Sequence, residues 1–478
     1  MLNLILNFIY SKRKLVINHL FVASIILMLV IRIMFVFSTT LGLQNGEEDN
    51  LWNILNVANG RSLYLSPTAA PYEIFLYAPL SQLIQVFLVK LFCIKNIYYL
   101  SVFLRFFSLV INLLTSFFIY AYIKNLINDK FRSLMLALVS LVSIIHLNWT
   151  IRVDSLSILI SVYSIIYLLK HYENINVFKC LFVGFLMTLS VYTKQDGIQL
   201  IIIVPIALIF TNKIKQGILI LLFSLTFSLL IYFLLFLVYD QNFYNSVVGG
   251  LKNPYSIINA VNVLNRYFQL YTIYPFCILL IIVWGIFKRE NDKIYFLSLI
   301  LLGIFMFAIL SSFKLGSWVN YFSLFNLVGI LIVGEFLKFK KVNLYFELIS
   351  LIFIFQFMSN IVFNYLWNEF KFDKRLIYDK RDISLEIEKI VPKNYLIYTN
   401  DDILELYFYK RTIFPNQVFY NSMSTFKYRV KDDLKSKLVV LTSHKENDFV
   451  INNILKHNNS KLKKIAQVKD YELFVLVK

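Results

Sequence analysis

The chain predicts an all-α polytopic membrane protein of about eleven transmembrane helices, followed by a small C-terminal α/β soluble domain. Three observations carry this expectation. Of 478 residues, 59% are hydrophobic and 17% aromatic, and the mean hydropathy is +0.67, more apolar surface than a water-soluble globule can hide. The apolar residues gather in runs long enough to cross a bilayer, separated by short basic turns. Beyond Leu366 the apolar runs shorten and charges become frequent, which divides the chain into a membrane region, 1–366, and a soluble region, 367–478.

Met1 to Tyr10 is apolar but too short to cross, and Lys12-Arg13-Lys14 then precedes Leu15 to Ser38. That segment is long and has no small-residue cleavage site, so it reads as a retained first span rather than a signal peptide. Its basic start places the N-terminus in the cytoplasm and the following loop, 39–100, outside. The loop carries Asn45-Gly46-Glu47-Glu48-Asp49, the acidic cluster closest to spanning sequence. Carboxylates beside hydrocarbon are costly, so the cluster marks a site that needs negative charge. The plainer alternative is a helix N-terminus whose acids complement its dipole.

Leu51 to Asn59 is amphipathic and ends at Gly60; Tyr64, Pro71-Tyr72-Glu73, Tyr77 and Pro79-Leu80 follow, the aromatic and proline usage of a chain lying at an interface. Leu76 to Phe92 contains Ser81, Gln82, Gln85 and Lys90, and reads as an interfacial helix rather than a span. Further spans are expected near 101–123, 131–150, 153–170, 179–194, 197–212, 216–238, 266–287, 294–313, 319–337 and 343–365. Loop charge supports this order. Cytoplasmic turns then hold Lys124, Lys130, Arg132, Lys170, Lys179, Lys213, Lys215, Lys288, Arg289, Lys293, Lys338, Lys340 and Lys341, whereas outer turns hold only Arg152, Lys194, Lys252, Arg266 and Lys314. In the soluble region Tyr395–Thr399, Leu438–Leu441, Ile465–Val468 and Leu473–Val477 resemble strands, with helical patterns around Ile383–Ile390 and Asp448–Lys456.

The net charge of +19 is thus mostly topology, and with no compact basic domain a nucleic-acid partner is excluded. Cys93, Cys180 and Cys277 sit singly in apolar surroundings, and the five histidines are scattered, which gives neither a zinc site nor a histidine-centred triad.

Polar groups recur at the expected outer ends of separate spans. Arg152-Val153-Asp154 joins the third and fourth, Lys194-Gln195-Asp196 the fifth and sixth, and Lys314 to Ser317 with Asn320-Tyr321 the ninth and tenth. Taken singly, Asp154 could cap a helix and the lysines could snorkel to headgroups. Taken together, cations at membrane depth suit a lipid-linked phosphate, while a nearby carboxylate can deprotonate an acceptor hydroxyl. Tyr64, Tyr72, Tyr77, Trp318 and Tyr321 could offer faces for a sugar to stack on.

The order of motifs resembles the GT-C class of integral-membrane glycosyltransferases, which includes aminoarabinose- and mannosyltransferase-like members. The resemblance rests on an acidic outer loop after one span, Gly60-x-x-x-Tyr64, Pro71-Tyr72, Tyr77-x-Pro79-Leu80, Arg105, Arg152-Val153-Asp154, Thr193-Lys194-Gln195 and Gly316-x-x-x-Asn320-Tyr321. It covers the membrane region to about residue 340, by motif order more than by any one motif. It implies inverting transfer of a hexosyl or pentosyl unit from a polyprenyl-phosphate donor to a glycan, lipid or protein acceptor, outside the cytoplasm. It also implies a place in cell-envelope glycan synthesis at a bacterial inner membrane. Carried over, Glu47 falls at the catalytic base, with Glu48 and Asp49 beside it as alternatives, and Asp154 at a second acidic position. Arg105, Arg152, Lys194 and Lys314 face the donor phosphate, and Tyr64, Tyr72, Tyr77, Gln195, Asn320 and Tyr321 the substrates. No cofactor is required; a divalent metal ion, used by some relatives only, stays open.

Two rivals were weighed. A lipid-linked sugar flippase predicts charged residues deep in several spans and repeated halves, which this sequence lacks. A polysaccharide polymerase or ligase predicts large outer loops rich in arginine and histidine, whereas the chief loop here is acidic. The topology has a direct check. Alkaline phosphatase fused after Lys478 should be active and a fluorescent protein there dark; the reverse pattern would refute an extracytoplasmic C-terminal domain.

Overall fold

The computed structural model describes residues 19, 23, 26–27, 29–38, 47–66, 75–145, 151–249, 254–271, 273–339, 375–399, 401–410, 438–442 and 461–477. Most of them are helical, and a small sheet closes the C-terminus.

Helix α1 comprises residues 29–37. Helix α2, Glu47–Ala58, opens on the acidic cluster, whose negative charge complements the positive end of the helix dipole. Gly60, at φ +92°, takes the left-handed conformation just past its end, where a side chain would be strained. Helix α3, Leu80–Leu91, lies beside α2: Gln82 donates to Asn50, and Ser81, Gln82 and Gln85 are buried, while Phe87, Leu91 and Phe92 are exposed. The expected interfacial helix is thus present, with its polar stripe turned into the protein.

The membrane bundle follows. It comprises α4 (Ile97–Ile127), α5 (Lys130–Ile145), α6 (Asp154–Lys170), α7 (Val177–Thr193), α8 (Ile198–Phe210), α9 (Ile214–Val247), α10 (Ile257–Tyr271), α11 (Ile273–Lys288), α12 (Asp292–Ser312) and α13 (Ser323–Phe339). Among the described residues, α4, α9, α12 and the run Val319–Lys338 are long and apolar enough to cross a membrane, and α10 with α11 could supply a fifth crossing as a bent pair. The segments expected as spans at 131–150, 153–170, 179–194 and 197–212 hold helices of 13 to 17 residues, at or below the roughly 17–25 residues of a full crossing. The span expected at 343–365, ten of the 24 residues of the first span and the helix at 448–456 lie outside the described residues.

Two differences from expectation have physical causes. The single span expected at 266–287 is two helices, bent by 97°. Pro275 sits in the first turn of α11, where its missing N–H costs nothing, but it could not continue α10. In α9 the helix runs past its expected end at 238, and Asp240, at φ +52°, kinks it. The final turns then pack Phe243 and Val247 against Leu63, Tyr64 and Phe75 of the first loop.

Small hydroxyl residues let the helices approach closely. Ser157 and Ser161 of α6 meet the Ser190 hydroxyl of α7 at 3.1 and 2.7 Å, and Ser140 of α5 donates to Ser116 of α4 at 3.0 Å. One core of buried Leu, Ile, Val and aromatic side chains runs through α4 to α13.

In the C-terminal domain, strands β1 (Leu396–Thr399), β2 (Leu438–Thr442), β3 (Lys461–Val468) and β4 (Tyr471–Val477) form a sheet in the order β1-β2-β4-β3. The pair β1 and β2 is parallel and the other two pairs antiparallel. Helices α14 (Arg375–Ile390) and α15 (Asp402–Tyr407) cover it, burying Ile383, Ile387 and Leu404 against Ile397, Val439 and Leu441. Asp401 accepts from Lys380 at 2.7 Å and from the Tyr471 hydroxyl at 2.5 Å, tying α14 to the sheet.

Between α7 and α8 the chain turns on Gly197, whose Cβ position would lie 2.6 Å from backbone atoms of Ser190 and Val191. Gly197→Ala should therefore lower the thermal midpoint of the purified protein, by a free energy of roughly 1–3 kcal/mol. An unchanged midpoint would show that the turn has room to spare.

Candidate active site

The acidic loop is anchored before it is presented. Glu47 is fully buried, and both its oxygens are taken: Arg105 Nε donates to Oε1 at 2.8 Å and Nη2 to Oε2 at 2.7 Å. The Ile151 amide points at Oε1 from 3.4 Å, and Arg105 Nη1 donates to the Ser38 carbonyl at 2.6 Å. This bidentate pair joins α2 to α4, the end of α1 and the start of the segment leading into α6. Arg105 was expected at the donor phosphate; its guanidinium is instead spent on Glu47 and backbone carbonyls, with no exposed surface. Glu48 lies in the first turn of α2.

Asp49, two residues further on and 5% exposed, lies on the opposite side of the helix from Glu47. Tyr77 reports it. Burial raises the Tyr77 hydroxyl above its ordinary pKa, and the charges acting on it are those of Arg152, Asp154, Lys194 and Asp49. One tyrosine of the first loop thus senses the acidic loop and two of the outer turns.

At the centre is Lys194, in extended backbone at the end of α7. Its ammonium donates to Asp154 Oδ1 at 2.8 Å, reaches Asp196 Oδ2 at 2.6 Å, and lies 4.9 Å from the centre of the Tyr321 ring. Burial opposes this charge, but Asp154 and Asp196 outweigh it and hold the ammonium well above the ordinary lysine range. Asn320 Nδ2 donates to the same Asp154 oxygen at 3.0 Å. Gln195 donates to the Leu76 carbonyl, which fixes the first loop against this turn. Lys314 stands at the edge, half-buried, in the field of Asp196 and Lys194; burial lowers its pKa. Its backbone is held by Asn259, which donates to the Lys314 carbonyl at 2.9 Å. Asp154, Lys194, Asp196, Asn320 and Tyr321 border a narrow space of about 30 Å³.

The structure therefore brings Asp154, Lys194, Asp196, Asn320 and Tyr321 into contact, ties Gln195 to the first loop, and leaves Tyr77, Arg152 and Lys314 within electrostatic range, with Asp49 the weakest of the charges that act on Tyr77. It sets Tyr64 apart, 1% exposed: its hydroxyl donates to the Tyr77 carbonyl at 2.8 Å, and its ring packs on Phe75, Tyr239 and Phe243. Tyr64 supports Tyr77 rather than offering a face to a sugar. Tyr72 lies outside the described residues. Asp196, named with Lys194 and Gln195 among the polar groups at the span ends but assigned no role from sequence, is the addition the structure makes: it is the second carboxylate on the Lys194 ammonium. Among the described residues no group of three histidine, cysteine or acidic side chains is placed to hold a metal ion.

No family model matches the sequence, and no curated protein does. Solved structures do. ArnT from Cupriavidus metallidurans bound to undecaprenyl phosphate superposes with a TM-score of 0.61 at 11% identity, over 96% of this chain and 97% of that one. The apo state of the same protein gives 0.59 at 10%, over 95% and 97%. The Archaeoglobus fulgidus oligosaccharyltransferase, tethered to an acceptor peptide containing the NVT sequon, gives 0.51 at 10%, over 83% of this chain and 63% of that one. The chain has the GT-C fold and is an integral membrane protein.

The Glu47 and Arg105 pair has a measurable consequence. Glu47→Leu or Arg105→Met alone leaves a buried charge without its partner and should destabilise by about 3–5 kcal/mol, whereas the double variant Glu47→Leu with Arg105→Met should lose less than the sum of the two, the buried Arg32 nearby keeping the recovery incomplete. Additive losses in a thermal-unfolding cycle would show that the two side chains act independently.

Proposed function

We propose that the protein transfers a sugar from a polyprenyl-phosphate donor to an acceptor hydroxyl, with inversion, at this cluster. The observation that carries the reading is the buried cluster around Lys194, where Asp154, Asp196 and Asn320 converge beside the Tyr321 ring at the edge of a small cavity. Such a displacement needs a base on one side of the anomeric carbon and positive charge on the other. The GT-C fold, shared with a protein crystallised with undecaprenyl phosphate, supports the donor class.

In this reading Asp49 is the base, because both oxygens of Glu47 are already taken by Arg105. It accepts the acceptor's proton as the hydroxyl oxygen bonds to the anomeric carbon and the bond from that carbon to the phosphate oxygen breaks. Arg152, Lys194 and Lys314 take up the charge on the departing polyprenyl phosphate. Asp154, Asp196 and Asn320 set the position of Lys194. Asp154 thereby acts through Lys194, and Glu47 through the seating of α2. Arg152, Lys194 and Lys314 balance the charges of Asp154, Asp196 and Asp49, so the cluster as a whole is close to neutral. The active site is extracytoplasmic, in a bacterial inner membrane, and the C-terminal domain lies over α2.

The test is transfer from a radiolabelled polyprenyl-phosphate sugar by purified protein in lipid. Asp49→Asn should lower kcat by about 100-fold or more with donor binding retained, and Lys194→Gln should weaken donor binding as well as turnover. Asp154→Asn should resemble Lys194→Gln. Full activity in Asp49→Asn with loss in Glu48→Gln would move the base by one residue. Binding without turnover in the wild type, across donors and acceptors, would favour a flippase.

A further inference from the structure

A second cavity, of about 720 Å³, opens between α2, α3 and the C-terminal domain. This is well inside the range of small-molecule sites and far larger than the space beside Lys194. Its charged lining is basic: among the described residues Lys90, Lys95 and Arg381 line it and no acidic residue does, the acid acting on its Tyr407 wall being Asp382. Several cations around a concave surface focus their field, so that together they attract an anion more than separate surface charges would. Tyr407 and Tyr409, both half-buried, add aromatic faces from the C-terminal domain. Arg61 fixes that wall by donating to the Tyr409 and Lys410 carbonyls.

Two further features define the occupant. On α3 and at its C-terminal cap, Phe87 is 63% exposed and Leu91 and Phe92 are each 60% exposed, an uncovered apolar edge beside Lys90 and Cys93. Helix α2 also connects the cavity to the proposed base. Leu55 lies about 9 Å and Asn59 about 15 Å from Asp49 along the helix axis, at 1.5 Å per residue.

We propose that this cavity is a subsite for the anionic sugar headgroup of a membrane-anchored acceptor, its lipid lying along Phe87, Leu91 and Phe92, its charge met by Lys90, Lys95 and Arg381, and its sugar ring stacked on Tyr407 or Tyr409. The inference rests on the transferase reading for the word acceptor, but the binding it assigns can be tested without turnover.

Cys93 lines the cavity and is exposed, whereas Cys180 is buried and Cys277 only partly exposed. Its rate of alkylation by iodoacetamide, in phosphatidylcholine nanodiscs, reports occupancy. Glucose 1-phosphate at ten times its midpoint concentration should slow the reaction about tenfold, as expected for simple site occupancy. Glucose and inorganic phosphate should each do much less. The slowing should vanish in the combined Lys90→Gln, Lys95→Gln and Arg381→Gln variant, and persist in Asp49→Asn. Nanodiscs containing phosphatidylinositol phosphate should slow it as well. No slowing by glucose 1-phosphate, equal slowing by glucose or phosphate, or slowing that survives the triple variant would overturn the subsite. Protection by the free sugar phosphate but not by the lipid would overturn the membrane anchor. Protection without sugar transfer by any form would sink the transferase reading while leaving an anionic-sugar site.

Discussion

The buried pair of Glu47 and Arg105 is the constraint on which the site depends. A carboxylate and a guanidinium in a low-dielectric setting are each costly alone, and they are tolerable only because every strong donor and acceptor between them is matched. That requirement fixes the rotation and depth of α2 against α4. With α2 fixed, Asp49 is held on the side of the outer turns, and α3 is held beside α2 through Gln82 and Asn50. The pair is therefore an element of positioning for α2, and Asp49, two residues along, is not part of it.

Around Lys194 the same physics is used with different balance. Two carboxylates share one ammonium, so its position is strongly fixed while neither acid is fully neutralised. Arg152 and Lys314 add positive charge from neighbouring turns. Preorganisation of this kind places the cost of assembling charge on folding rather than on the reaction.

Much of this was legible in the sequence, and the rest was hidden for definite reasons. Hydropathy located the helices of the bundle, and strand composition located four strands within a few residues, because burial of a face dictates both patterns. Lys194, Asp154 and Asn320 were legible as a group because polar residues at the ends of apolar runs are few. The partner of Glu47 was not, since Arg105 is 58 residues away and nothing local distinguishes a buried guanidinium from one facing a phosphate. Tyr64 was misassigned for a related reason: an aromatic belt and an aromatic core have the same composition. The bend between α10 and α11 rested on Pro275, whose effect depends on where a helix begins, which periodicity does not fix.

The separation between Glu47 and Arg105 also orders biosynthesis. The carboxylate is made 58 residues before the guanidinium and belongs to a loop that must be delivered first. Arg105 lies in the first third of α4, where an arginine without a partner is costly to bury, so the helix seats more readily once Glu47 is present to receive it. The chain emerges in the sequence that makes its least membrane-compatible residue acceptable, and a circular permutation that reversed the two would burden insertion while leaving the finished fold unchanged.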